Sequence, residues 1–321
     1  MNAYFAQTNA NVRMNRRDVV RRMSTGLAAL SVPGLTVAQP TTPALRQRAL
    51  RIAHLTDVHM QPIIGAAKGF ERCLHHAQNL PDKPDLIING GDAVMEAHGR
   101  GKDSVARQWR LYQDVLKSEN ALPLLNCVGN HDIWCRQETK ACFEAGKQWA
   151  MDEFQMTKRY YSHDQNGWHI VVLDSVQPKI DGSWYTAHLD DEQFHWLEND
   201  LKQTPAETPV FIVSHVPILA ACVFFDGQRF AGENWNVPAR WMHSDTVRIT
   251  DLFHHHPNVK AAISGHIHLL DRVDYNGVSY FCNGAVSGAW WFGKYHHTGA
   301  GYAVVDLFND GTVENRYVTY S

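Results

Sequence analysis

Polar side chains that can bind a metal ion or move a proton follow five apolar runs of this 321-residue chain. The five polar elements are, in chain order, Asp57-Val58-His59, Gly91-Asp92, Gly129-Asn130-His131-Asp132, His215 and Gly265-His266-Ile267-His268. One such element alone would be an ordinary polar turn. Five of them in order, each after its own apolar run, indicate a single site that is assembled from distant segments of the chain.

The apolar runs are short and bounded by turn residues, which predicts buried strands at 50–56, 85–89, 121–128, 209–214 and 259–264. Helical spacing and capping predict helices at 70–80, 103–117, 138–154, 190–201 and 244–256, with Asp190 and Ser244 as caps. Residues 160–173 favour a hairpin, and the chain after 268 favours antiparallel strands. Alternating strands and helices are typical of an α/β protein with parallel strands, whose carboxyl ends share one edge of the sheet.

The polar elements suit metal chemistry. Asp57 and His59 are two residues apart, so on an extended strand end both side chains would point to one side, and Gly129 would allow a sharp turn at a strand exit. Asp, His and Asn donors without a cysteine suit divalent Mn, Fe, Zn or Co ions. Their number is sufficient for two ions that share one carboxylate.

The motif order D-x-H, G-D, G-N-H-[DE], a separate His and G-H-x-H resembles that of the calcineurin-like metallophosphoesterases, over about residues 52–268. The resemblance implies a four-layer α/β/β/α sandwich, in which two mixed sheets lie between helices, as a single domain over residues 49–321. It also implies a hydrolase of phosphoric esters. In such enzymes a hydroxide activated by two bridged divalent ions attacks phosphorus, without a covalent enzyme intermediate.

The same resemblance implies a role for each matched residue. The metal ligands would be Asp57, His59 and His268 for one ion, Asn130, His215 and His266 for the other, and Asp92 as the bridge. The resemblance also implies that His131 is the general acid near the leaving oxygen and that Asp132 orients its other ring nitrogen.

The substrate is the least specified part of this interpretation. Met95 stands where purple acid phosphatases carry a Tyr, and His59 stands where they lack a His, which favours the branch that includes bacterial cyclic-nucleotide phosphodiesterases. We expect a phosphodiesterase acting on nucleotide-like or other small diesters, with a phosphomonoesterase as the alternative. A metal-stabilised interaction protein and a metal-storage protein are further alternatives.

Aromatic residues in two irregular segments bear on that choice. Trp290-Trp291-Phe292 could belong to the core or could line a substrate pocket beside Phe224, Phe225 and Trp235. The run His254-His255-His256 has a simpler interpretation. Consecutive helical residues point in different directions, so the run is typical of a solvated helix end.

Residues 1–38 resemble a twin-arginine export signal, because Arg16-Arg17 precede a weakly apolar stretch that is too short and too broken to span a bilayer. Thr36-Val37-Ala38 offers a cleavage point, residues 39–48 predict a linker, and Met14 is an alternative start. The expected partners are the twin-arginine export machinery and a small phosphate-ester substrate. We expect a periplasmic or secreted protein with no membrane span after processing.

Charge and cysteine content add two expectations. Removing residues 1–38 would take away five Arg and one Asp and change the formal net charge from −3 to −7, which argues against a stable nucleic acid partner. The six cysteines include no CxxC pair. Cys135 and Cys142 are the nearest candidates for a disulfide, with idle thiols as the alternative. The oligomeric state stays open.

Overall fold

A computed structural model describes residues 45–63, 65–181, 184–227 and 229–320. Its first sheet contains β1 (Arg48–Leu55), β2 (Leu86–Asn89), β3 (Leu124–Asn126), β14 (Gly301–Phe308) and β15 (Val313–Thr319). The strand order is β15-β14-β1-β2-β3. β1, β2 and β3 are parallel to one another, whereas β14 and β15 are joined antiparallel at one side. The sheet is therefore mixed.

The second sheet contains β4 (Tyr161–Gln165), β5 (Trp168–Val172), β8 (Val210–Val213), β11 (Val259–Ser264), β12 (Asp271–Tyr275) and β13 (Val278–Cys282). Its order is β12-β13-β11-β8-β5-β4, with four parallel central strands and an antiparallel strand at each edge. Two small ribbons lie outside the sheets. They are β6 (Val176–Pro178) with β7 (Tyr185–Ala187), and β9 (Phe230–Ala231) with β10 (Asn234–Trp235).

Five α-helices connect these strands in the described part of the chain. They are α1 (Ala66–Gln78), α2 (Lys102–Glu119), α3 (Lys140–Glu153), α4 (Asp191–Gln203) and α5 (Thr246–His254). Each helix buries one face. In α2 the buried positions Val105, Trp109, Tyr112 and Val115 recur every three or four residues, as an amphipathic helix requires.

Three apolar clusters show how the layers are stacked. Ile52 of β1 lies in a cluster with residues of both sheets, while Leu55 of β1 faces a second cluster formed with α1, α2 and α3. In the second sheet, Ile170 faces the first sheet and Val171 faces α4 and α5. Alternate strand residues point to opposite faces, so each sheet is covered on both sides. The α/β/β/α sandwich of two mixed sheets is thus confirmed.

Several local predictions need correction. β3 is shorter than the apolar run 121–128 suggested, and neither small ribbon was predicted. Asp190 caps α4 as predicted, by accepting a hydrogen bond from Gln193 N at 2.9 Å. Ser244 does not cap α5. Its hydroxyl donates instead to Ala187 O at 3.0 Å and ties the start of α5 to β7.

The start of the domain also differs from the prediction. Arg46 donates to Glu314 Oε1 at 2.6 Å, and Arg48 already pairs with Phe308 in the sheet, so the linker predicted at 39–48 ends too late. The chain from Arg46 onward forms one compact unit. The proposed export signal at 1–38 lies outside the described residues. No helix within those residues is long and apolar enough to cross a membrane.

Candidate metal centre

The five polar elements converge at the carboxyl ends of parallel strands from both sheets. β1 leads to Asp57 and His59, β2 to Asp92, β3 to Asn130 and His131, β8 to His215, and β11 to His266 and His268. Backbone hydrogen bonds hold neighbouring elements together, such as Asp57 N to Gly91 O at 3.0 Å and Gly265 N to His215 O at 3.1 Å. The structure brings all seven expected ligands, His131 and Asp132 into one region.

Asp57, His59 and His268 form the first group of donors. His59 Nε2 lies 3.0 Å from His268 Nε2, and His268 Nε2 lies 3.3 Å from Asp57 Oδ1. All three side chains are buried. Asp57 uses its other oxygen, Oδ2, to accept hydrogen bonds from Thr56 Oγ1 at 2.6 Å and His266 N at 2.9 Å. Its Oδ1 therefore stays directed at the two imidazoles.

Asp92, Asn130, His215 and His266 form the second group. His215 Nε2 lies 3.3 Å from Asp92 Oδ2 and 3.1 Å from Asn130 Oδ1. His266 joins Asp92 and His215 with ligand atoms within 4.8 Å of one another. Asp92 Oδ2 also lies 3.8 Å from His59 Nε2 of the first group. This one carboxylate oxygen therefore lies between the two groups of donors.

Hydrogen bonds on the far side of two imidazoles fix which nitrogen faces the centre. His215 Nδ1 donates to Gly90 O at 2.8 Å, and His268 Nδ1 donates to Gly288 O at 2.7 Å. A neutral imidazole that donates from Nδ1 carries a lone pair on Nε2, the form that binds a metal ion. Backbone carbonyls therefore direct both Nε2 atoms towards the centre. Burial opposes protonation of His215, but the Asp92 carboxylate raises its pKa to about 9, so a bound cation would have to displace the proton on its Nε2.

The donor set fits divalent cations. Asp57 Oδ1 and His266 Nδ1 are buried and have no hydrogen-bond partner, which is costly unless another group satisfies them. Burial opposes ionisation of Asp57 and Asp92, but the histidines around them hold the pKa of both carboxyls below the usual range. Burial and the positive charge of His215 lower the pKa of His266 to about 3, so its ring is a neutral donor. Two buried carboxylates offset part of the charge of two divalent cations, and imidazole nitrogens add lone pairs for coordination.

Backbone strain is concentrated at the same residues. Five of the seven expected ligands adopt left-handed φ angles that non-glycine residues rarely populate: Asp57, His59, Asp92, His266 and His268. The expectation of an extended end at 57–59 was therefore wrong, although the two side chains still converge. Gly129 has an extended φ of −98°, so it does not make the turn. A Cβ there would lie 2.2 Å from Asp92 N, so glycine allows the close approach of two loops.

His131 faces the centre, but Asp132 does not orient it. His131 N donates to Asp92 Oδ1 at 2.7 Å, and its Nε2 lies 4.0 Å from Asp92 Oδ2. Its Nδ1 donates to Met95 O at 2.7 Å. The Asp132 carboxylate accepts backbone N–H groups instead, from Asp92 at 3.0 Å and Ala93 at 2.8 Å among others. The short 3₁₀ turn Asn130–Asp132 sends the two side chains to different partners, so the orienting role expected for Asp132 was wrong.

Comparison with known proteins agrees with this geometry. The model of the calcineurin-like phosphoesterase family matches residues 50–270, which is more than half of the chain. This chain belongs to the calcineurin-like phosphoesterase family. It is therefore a metallophosphoesterase, a hydrolase of phosphoric ester bonds.

Individual relatives are distant. The phosphoesterase is 25% identical to the 3′,5′-cyclic adenosine monophosphate phosphodiesterase CpdA of Escherichia coli, over 74% of this chain and 76% of that protein. It is 25% identical to a probable cyclic nucleotide phosphodiesterase of Psychrobacter, over 68% of this chain but only 57% of that protein's length. A dimetal phosphatase from Danio rerio shares the fold, with a TM-score of 0.58 and 14% identity over 86% of this chain and all of the other.

A cavity of about 300 Å³ opens over the centre of the phosphoesterase. Asn130, His131, His266 and His268 form its floor, and residues that the sequence patterns had not indicated form much of its wall: Glu96, Trp184, Tyr185, Asp226, Arg240, Trp241 and Tyr295. Burial raises the pKa of the Tyr185 phenol, and the positive charge of Arg240 partly opposes that rise. Apart from Tyr185 in the short strand β7, these residues lie in irregular segments of the chain, where no periodic pattern indicates which side chains enter a cavity.

The two interpretations of Trp290-Trp291-Phe292 each hold for part of the segment. Trp290 lines the cavity, and its ring centroid lies 4.7 Å from that of His268. Trp291 packs against the core beside α1, and its Nε1 donates to His59 O at 3.0 Å. Phe292 is exposed. Phe224, Phe225 and Trp235 are also exposed and do not line this cavity.

Proposed function

We propose that this phosphoesterase hydrolyses small phosphodiesters, with nucleotide-like diesters as the substrate class, at a centre of two divalent ions. The observation that carries the proposal is the position of Asp92 Oδ2, 3.3 Å from His215 Nε2 and 3.8 Å from His59 Nε2. A single buried carboxylate oxygen between two sets of donors is what a pair of bridged cations requires. Nitrogen and oxygen donors without sulfur support Mn, Fe, Zn or Co.

The protein's own residues divide the remaining work. When bound, the ions supply Lewis-acid stabilisation of the phosphoryl group and activation of the attacking water. His131 holds Nε2 towards the cavity because Nδ1 is fixed by Met95 O, so Nε2 can deliver a proton to the leaving oxygen. Asp132 fixes the loop by accepting its backbone N–H groups. Arg240 supplies a cation to the part of the substrate that lies beyond the metal pair.

The wall of the cavity supports a nucleotide-like substrate. Trp184, Trp241 and Trp290 line the same cavity as Arg240, and aromatic surface together with a cation suits a flat base attached to an anionic phosphate. The names of the Escherichia coli and Psychrobacter relatives point to cyclic nucleotides as well. The small size of the cavity favours a small diester over a polymer.

A rate survey of the Mn-loaded protein tests this proposal. The series contains 3′,5′-cyclic nucleotides, the matching 5′-nucleotides, sugar phosphates, phospholipid head-group diesters and aryl phosphodiesters. We expect kcat/KM for at least one cyclic nucleotide to exceed that of the nucleotide with the same base by roughly 10-fold or more. Asp92→Asn, measured under the same conditions, is the control for background hydrolysis.

Two outcomes of the survey contradict the proposal. A higher kcat/KM on 5′-nucleotides or sugar phosphates than on any diester would identify a phosphomonoesterase. Absence of turnover on every substrate, with two ions bound per chain, would favour a metal-stabilised interaction protein on this fold. The fold alone does not discriminate between these outcomes, since GAP50, the anchor in the inner membrane complex of Plasmodium, shares it with a TM-score of 0.53 at 17% identity.

We further propose that the protein acts in the periplasm or outside the cell. Arg16-Arg17 and the weakly apolar stretch that follows support export by the twin-arginine route. That route carries folded proteins, which suits a centre whose ligands come from five separate strand ends.

A further inference from the structure

Two cysteines lie in contact beside the loop that carries His131. Cys135 and Cys142 flank the exposed residues 136–141, and the backbone N–H of Arg136, the residue after Cys135, reaches the Cys142 sulfur. The two thiols are close enough for each to shift the pKa of the other. Cys135 is only 1% exposed, whereas Cys142 is half-buried. Cys142 can therefore be reached from solvent, while the neighbouring Cys135 is shielded from it. An accessible thiol beside a buried one suits thiol–disulfide exchange in two steps.

Backbone N–H groups of two neighbouring residues, Arg136 and Gln137, stabilise the Cys142 sulfur as a thiolate. Arg136 N donates to Cys142 Sγ at 3.3 Å. Cys142 is also the third residue of α3, where its own N–H donates to the cap Thr139 Oγ1 at 3.2 Å. Donated N–H groups and a helix N-terminus both stabilise a thiolate. Burial opposes ionisation of Cys142, but the neighbouring Cys135 and the N–H groups lower the pKa of Cys142 overall. The pKa of Cys135 is raised, by burial and by the neighbouring Cys142.

The other cysteines provide an internal comparison. Cys222 and Cys282 form a second close pair, but both are buried, 3% and 1% exposed. The neighbouring Cys282 sulfur and burial raise the pKa of Cys222 far above its usual value. Cys73 and Cys127 are completely buried, and burial raises the pKa of each. Buried thiols of this kind react slowly.

We propose that Cys135 and Cys142 form a thiol–disulfide exchange site that takes low-molecular-weight disulfides such as glutathione disulfide. The Cys142 thiolate attacks one sulfur of the external disulfide, whose S–S bond breaks and releases one thiol. Cys135 loses its proton to solvent and attacks Cys142 Sγ, and the mixed disulfide breaks to release the second thiol. The two cysteines are oxidised by two electrons, and the external disulfide is reduced to two thiols.

The position of the pair gives the bond a structural consequence. Gly99 N donates to Cys135 O at 2.8 Å, and Ala97 N donates to His131 O at 2.9 Å, so Cys135 and His131 are held by the same neighbouring segment. A bond from Cys135 to Cys142 would tie that loop to the first turn of α3. The proposal concerns this chain's thiols and is independent of the substrate of the phosphoesterase.

Whole-protein mass spectrometry of the reduced, full-length chain treated with glutathione disulfide tests the proposal. We expect the wild type to lose two hydrogen atoms and peptide mapping to link Cys135 to Cys142. Cys135→Ser should instead retain one glutathione on Cys142, because the resolving thiol is absent. Cys142→Ser should show neither product. Cys222→Ser is the matched control and should behave like the wild type.

Alkylation rates give a second readout that needs no variant. Iodoacetamide should modify Cys142 of the reduced protein roughly 10-fold faster than any other cysteine. An unchanged wild-type mass, prior formation of the Cys222–Cys282 bond, or failure of Cys135→Ser to trap glutathione would each overturn the proposal. Should Cys135→Ser not fold, Cys135→Ala replaces it, because alanine fills the buried position without a polar group.

Discussion

At the scale of single residues, the two oxygens of Asp92 have different tasks. Oδ1 accepts the backbone N–H of His131 at 2.7 Å, and Oδ2 lies between His215 and His59. One oxygen therefore positions the loop of the proposed acid, and the other remains for the metal pair. The side chain is 2% exposed, so removal of its charge cannot be compensated by water.

Replacing Asp92 by Asn should lower the occupancy of both metal sites together. The substitution keeps the size of the side chain but removes the charge that lets two cations lie close to each other. Metal analysis of the purified variant measures this directly. Asn130→Ala is the comparison. Asn130 Oδ1 contacts His215 of the second group of donors, so its loss should chiefly weaken the binding of one ion. Loss of a single ion in Asp92→Asn would show that Asp92 is not the bridge.

Replacing His131 by Ala should separate proton transfer from metal binding. The variant should keep two ions but lose roughly 10²- to 10⁴-fold in turnover on an alkyl diester, whose leaving oxygen needs a proton. The loss should be much smaller on a p-nitrophenyl ester, whose leaving group is stable as an anion. Paired kinetics on the two substrates measure the difference. Equal losses of turnover on both substrates, together with reduced metal content, would mean that His131 is a metal ligand or a structural residue. An exposed histidine of the 290–297 segment would then be tested as the proton donor.

At the scale of secondary structure elements, the sequence predicts the donors better than their surroundings. A short apolar run followed by Asp, His or Asn is a local sequence pattern, and parallel strands bring their carboxyl ends to one edge of a sheet. Asp57 and Asp92 could therefore be predicted as metal ligands from the sequence. Arg240 was not, because a loop residue enters the cavity through tertiary packing alone. The partner of Asp132 could not be predicted either, since a 3₁₀ turn and an extended turn send the same side chain in different directions.

A histidine between two carboxylates joins the β4–β5 hairpin to α4. We expect this group of three side chains to make a pH-dependent contribution to the free energy of unfolding. His169 Nδ1 lies 2.6 Å from Asp164 Oδ1, and its Nε2 lies 2.8 Å from Asp200 Oδ2. The pKa of His169 is raised above its ordinary value, mainly by the hydrogen bond to Asp200. Burial opposes this rise but does not cancel it. A raised pKa in the folded state stabilises the protein below the unfolded pKa of about 6.5, and this contribution is lost as the pH rises through the folded value.

His169→Asn should therefore reduce the free energy of unfolding more at about pH 5.5 than at about pH 9. Urea unfolding of the wild type and the variant at both values measures the difference. The coupling free energy between His169→Asn and Asp200→Asn, measured in a double-mutant cycle, should decrease as the pH is raised from about 5.5 to about 9. A penalty that is equal at both pH values would mean that His169 contributes through packing and neutral hydrogen bonds instead.

At the scale of the whole molecule, the prediction that depends on the N-terminus is export. Replacing Arg16 and Arg17 by Lys should trap the precursor in the cytoplasm, because twin-arginine recognition requires the Arg pair. Fractionation and N-terminal sequencing measure location and cleavage, and the mature wild-type protein should begin near Gln39. Continued processing and export of the double Lys variant through the general secretory route would refute the twin-arginine interpretation.

The central claim is that two ions, held by seven ligands of which six are buried, make this phosphoesterase active. The most direct measurement is a titration of the metal-stripped protein with Mn²⁺, in which bound metal and hydrolysis of an aryl phosphodiester are followed in the same samples. We predict that activity appears with binding and reaches its plateau at two ions per chain. Tight binding of more than two ions without turnover would indicate metal storage, and a full rate at one ion per chain would contradict a shared role for Asp92.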